Sequence, residues 1–201
     1  MIECNRLDDL LGDRYSLVKF KDLSDPYKRA MAFYMGVDGE AWSEAFDGLD
    51  QEDMPRFDAG KDGADWHAFW NRMLIEYMPK FVELYGDVYF GVLEIDTGRL
   101  IDHLAASLAM QGDTRSAEEI TAGARSTHDL PYHNHAQTDR WPVILSNYED
   151  ETMQDGFHRL GNYLRHGATE IPAIFYPQER HFEAKGIASP ASDASLPAVG
   201  W

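Results

Sequence analysis

The chain has 201 residues, 44% hydrophobic and 12% aromatic, with one cysteine. That content supports a folded core and excludes wholesale disorder, and Cys4 alone excludes a disulfide framework or a cysteine-based zinc site. A net charge of −17 with no run of Lys or Arg argues against extended DNA binding, which needs clustered cations and counterion release.

The opening Met1-Ile2-Glu3, followed by further acids, does not read as a signal peptide. No window approaches the apolar length of a membrane span, so the expectation is no membrane partner and a cytoplasmic location, in the host cytoplasm if the source is viral. Residues 26–46 carry apolar side chains at spacings of three and four, which predicts two short helices split near Gly36–Gly39. Between Asp38 and Asp65 stand ten acids against two bases, with four glycines and Pro55. Short helices joined by acidic loops are expected there. This segment is either a solvated surface or a face for a basic protein partner. Residues 65–85 carry the clearest helical stripe, from Trp66 through Phe81 to Leu84, with Asp65 as N-cap and Gly86 as stop. Pro79 is expected to kink or divide that helix, and His67 reads as a surface or capping residue.

Residues 88–95 (VYFGVLEI) predict a strand, followed by a helix to Met110 capped by Asp96 or Thr97. Residues 114–125 suit a further helix, and 126–140 a loop. That loop holds His128, Asp129, His133 and His135, which read as a polar loop or as metal ligands around a His-x-His kernel. Strands are expected at 141–146, 152–155 and 170–176, with a helix over 156–166. The acids Glu149, Asp150 and Glu151 read as a solvated hairpin or as Mg²⁺ ligands, Arg140 as added positive charge, and Arg165 as a surface residue. Ser146 and Ser107 lack spaced His and Asp partners for a hydrolase triad, and His166 suits a helix C-terminus. From Gly186 the chain is rich in Ala, Ser, Pro and Gly and reads as an extended or disordered tail.

The junction Asp155-Gly156-Phe157-His158-Arg159 carries the chemistry. A glycine between strand and helix exposes first-turn N–H groups, an anion site. Arg159 can grip two phosphate oxygens, His158 can donate a hydrogen bond or carry a proton, and Asp155 can cap, bind metal or accept a proton.

Met153-Gln154-Asp155-Gly156-Phe157-His158-Arg159, then Tyr163 and Gly167, then Glu170-Ile171-Pro172-Ala173-Ile174, resembles the ParB/sulfiredoxin superfamily. Its members show a D/G-G-x-H-R box at a helix start and a glycine followed by an Ile-Pro strand. The resemblance covers residues 88–178. It implies an α+β fold, a small mixed sheet with helices that binds nucleotide phosphates at this helix start, preceded by a mainly helical acidic lobe. The expected division is 1–86 for the lobe, 87–180 for the core and 181–201 for the tail. The resemblance further implies ATP or CTP with Mg²⁺ and either hydrolysis or phosphoryl transfer to a small acceptor. Gly156, Phe157, His158 and Arg159 would bind the nucleotide. Asp155, His158 and Glu94 would be catalytic, and Asp155 and Asp96 would hold metal. Phe157 replaces the cysteine that sulfiredoxins carry between Gly and His, which argues against sulfinic acid reduction. The short stretch after residue 178 leaves no room for the DNA-binding and dimerisation domains of a partition clamp. The alternatives are a non-enzymatic acidic inhibitor, adaptor or DNA mimic of plasmid or phage origin, and, third, a ParB-like nuclease.

Overall fold

Period-two alternation organises the structure, a computed structural model that describes residues 7–37, 64–127, 140–148 and 151–190. In strand β2 (Tyr89–Asp96), Phe90 and Val92 turn to one face while Leu93 and Ile95 turn to the other. Strand β5 (Glu170–Phe175) pairs antiparallel with β2 and repeats the pattern, sending Ile174 one way and Ile171, Ala173 and Phe175 the other. With β1 (Ser16–Lys19), β3 (Val143–Leu145) and β4 (Met153–Asp155) they form one five-stranded sheet in the order β1-β2-β5-β3-β4. Only β3 and β5 run parallel. Helices cover both faces of this mixed sheet, so the fold is α+β.

Helices α2 (Asp25–Val37) and α3 (Ala64–Tyr85) cover the first face through Ala30, Met31, Tyr34, Leu74, Phe81 and Tyr85. Phe90 lies at the centre of that layer, with ring centroids 6.0 Å from Phe20 and 5.0 Å from Tyr176. Helices α4 (Thr97–Met110), α5 (Ala117–Ser126) and α6 (Phe157–Arg165) cover the second face, through Leu100, Ile101, Leu104, Ile120, Ala124, Leu160 and Tyr163. The short helices α1 (Leu7–Leu11) and α7 (Glu179–Ala184) complete the fold.

Local chemistry explains the boundaries. Asp96 ends β2 and caps α4, accepting a 2.8 Å hydrogen bond from Arg99 N. Ser116 opens α5 with a reciprocal capping box to Glu119. Arg165, exposed as expected, also donates to the carbonyls of Arg125 and Thr127 and so caps the C-terminus of α5.

Three expectations are corrected. Pro79, expected to kink or divide α3, does not divide it: the helix runs from Ala64 to Tyr85. Pro79 and Ile75 both lie on the exposed side of the helix, where water can satisfy the carbonyl that proline leaves unpaired. The expected boundary at residues 86/87 separates no independent cores, because β1 belongs to the same sheet and α2 and α3 form one of its two layers. The expected tail from residue 181 begins as helix: Phe182 and His181 are buried, and Tyr15 OH donates to the His181 carbonyl. The acidic segment 38–63, the histidine loop 128–139, Glu149–Asp150 and the tail 191–201 lie outside the described residues, as do the side chains of 64–73, including His67 and the first half of the aromatic stripe.

Candidate functional site

Gly156 turns the chain from β4 into α6. Its φ of 110° is left-handed, and a Cβ there would stand 3.1 Å from both Cα and Cγ1 of Val143, so any side chain there would be strained and crowded. As N-cap, Gly156 has no side chain to offer the first-turn donors. Its own N–H donates 2.6 Å to Asp155 Oδ1.

Arg159 is buried, only 4% exposed. Its Nη1 donates 2.7 Å to the Pro142 carbonyl, and its Nη2 donates 2.5 Å to Asp155 Oδ2. The guanidinium expected to grip phosphate is therefore engaged inside the fold, tying the head of α6 to the start of β3. It neutralises Asp155, which would otherwise repel an anion at the same helix end. Phe157 and His158 stand half-buried in the first turn.

The expected carboxylates do not converge. Asp155 stands opposite Ile144, Ile144 beside Ile174, and Ile174 opposite Val92. Three strand spacings place β4 about 14 Å from β2, and Glu94 and Asp96 lie further along β2 still. Glu94 is held by Arg140 in a two-pronged ion pair, 2.8 Å from Nη2 and 3.2 Å from Nη1, and Arg140 Nη2 also donates to the Glu170 carbonyl. Arg140 lies 6.0 Å from the Tyr163 ring centroid, and Tyr163 OH donates 2.8 Å to the Trp141 carbonyl. Burial raises the Tyr163 and Tyr27 phenols well above the ordinary tyrosine range, so both stay protonated at neutral pH. Asp96 is occupied as the α4 cap. Among the described residues, no three His, Cys, Asp or Glu are grouped to hold a metal ion.

Sequence reasoning missed a second polar group on the other face of β4. Tyr34 OH donates to Gln154 Oε1, and Gln154 Nε2 donates 2.6 Å to Glu151. Tyr34 and Gln154 are 120 positions apart, so no local pattern signals their meeting. Ser146, without a triad, donates 2.9 Å to the same Glu151 carboxylate.

Comparison with protein-family models, with curated proteins and with solved structures finds no match to this chain. No helix among the described residues is long and apolar enough to cross a membrane.

Proposed function

We propose that this chain is a nucleotide-binding protein of the ParB/sulfiredoxin kind. It holds the phosphates of ATP or CTP at the start of α6 and hydrolyses the nucleotide or passes a phosphoryl group to a small acceptor. The glycine-led N-terminus of α6 carries the reading: Gly156 brings no side chain to the first-turn N–H donors, and a helix N-terminus carries the positive end of the dipole. Arg159 supports it as a positioning residue that fixes the helix head and offsets the Asp155 charge. In this reading His158, half-buried in the first turn, donates to a phosphate oxygen.

Glu94 and Asp96 are dropped from this site because β5 and β3 separate them from Asp155. In this reading Mg²⁺ arrives with the nucleotide, bound chiefly by its phosphates. A second reading, an acidic inhibitor or adaptor for a basic partner, is favoured by the ten acids between Asp38 and Asp65.

The test is calorimetric titration of ATP and of CTP, each with Mg²⁺, into wild type and His158→Asp. An aspartate in the first turn favours the helix but repels phosphate. The expected result is binding by wild type and at least a tenfold loss in His158→Asp with the melting temperature kept. No binding by wild type, or equal binding by the variant, overturns the reading.

A further inference from the structure

Strand alternation turns Gln154 away from the α6 site and toward Tyr34 of α2. There a cleft of about 310 Å³ opens between the β3–β4 connection and the end of β5. That volume is at the lower end of the range for small-molecule sites, about 300–1,000 Å³. Tyr34, Tyr148 and Tyr176 line it, with the amide side chains of Asn147, Gln154 and Gln178. No Lys, Arg or His is among the described residues that line it.

The polar groups around this cleft favour positive charge: Arg180, which donates to Gln178 Oε1 of the wall, is itself paired with Asp8, whereas Glu151 has no ion-pair partner among the described residues. The Glu151 carboxylate sits one hydrogen bond behind the wall, and Oε2 takes its hydrogen bonds from two neutral donors, Ser146 Oγ at 2.9 Å and Gln154 Nε2 at 2.6 Å. Neither donor carries a charge to cancel that of the carboxylate. Asn147 Nδ2 donates 2.6 Å to the Tyr176 carbonyl, which fixes the amide and leaves Oδ1 buried without a hydrogen-bond partner among the described residues. Tyrosine rings attract cations through their quadrupoles, and a carboxylate near a low-dielectric wall strengthens the preference.

We propose that this cleft binds a small organic cation: an ammonium group carried on an apolar or aromatic body. The ammonium end is recognised by the tyrosine rings and the field of Glu151, and the body by the apolar wall. The site is independent of the phosphate site at α6, which lies across the sheet.

Three probes sharing one body test it: phenethylamine, 2-phenylethanol and phenylacetate, titrated calorimetrically into the full chain. The amine is expected to bind about tenfold tighter than the alcohol, and the acid not at all. Glu151→Gln keeps an acceptor oxygen for Ser146 and Gln154 and removes only the charge. It should weaken the amine several-fold and leave the alcohol unchanged. Tyr148→Ala, at a half-exposed ring, should weaken the amine about tenfold without lowering the melting temperature. Equal affinity for amine and alcohol, an amine affinity unchanged in Glu151→Gln, or no amine binding overturns the proposal.

Discussion

Arg159 joins the Asp155 carboxylate at the end of β4 to the Pro142 carbonyl just ahead of β3, and its burial makes it a structural cation. Arg159→Ala would leave the Pro142 carbonyl and the Asp155 carboxylate without their donor. Breaking a buried pair in this way costs about 3–5 kcal/mol, and the lower end applies because Asp155 is one-third exposed. Urea unfolding of the variant checks this, and loss of nucleotide binding in Arg159→Ala would not by itself show phosphate contact. His181 is a second buried residue with its tautomer fixed by geometry. Its Nδ1 accepts 2.8 Å from Gln178 N, so the proton sits on Nε2, which faces Asp8 Oδ1 at 2.9 Å. Burial pulls His181 below the ordinary imidazole range, against the opposing pull of Asp8. With the folded value depressed, the unfolded chain takes up the proton first as pH falls. The stability from neutral His181 is therefore complete above about pH 6.5 and is lost as pH falls below it. Urea midpoints between about pH 7.5 and pH 5 should decline in wild type and decline less in His181→Gln. Burial alone would raise the Asp8 carboxyl, but the hydrogen bonds from Arg180 and His181 outweigh it and hold it low, so its own loss falls at lower pH.

At the level of elements, α5 and α6 meet at Gly161. A Cβ there would stand 2.1 Å from the Ala124 carbonyl oxygen, a backbone atom that cannot swing aside. Gly161→Ala should cost about 2–3 kcal/mol by forcing the helices apart, measured as a fall in urea midpoint. On the opposite layer, Phe90→Ala should cost about 3–5 kcal/mol, because its fully buried ring packs between Phe20 and Tyr176. Elements with strong periodicity or a cap were legible in the sequence. The alternation of 88–95, the acid at Asp96 and the glycine before Phe157 each have a local physical cause that survives in the fold. Features that depend on distant partners were not legible. The helix Glu179–Ala184 is short and polar, and it is tied to the fold where His181 meets Asp8, 173 positions away. The Arg159 pairing illustrates the limit most directly. A first-turn arginine reads the same in sequence whether it faces solvent or the Pro142 carbonyl.

Across the whole molecule, β1 and the two ends of the described chain bind what the sequence suggested were separate units. Asp8 holds both Arg180 and His181, so α1 and α7 are stapled together beside β1. The topology also divides the chemistry. The α6 head lies on one face of the sheet and the tyrosine-lined cleft on the other, while Glu94 is separated from both by its place on β2. In the proposed function, nucleotide phosphates seat on the first-turn amides of α6. The most direct measurement is a ¹⁵N–¹H NMR titration of the isotope-labelled full chain with ATP and CTP in the presence of Mg²⁺. Saturable shifts are expected, largest at the amides of Gly156, Phe157, His158 and Arg159, with Glu94 and Asp96 little moved. Shifts absent from these four amides, or centred on the β2 carboxylates, would contradict the proposed function.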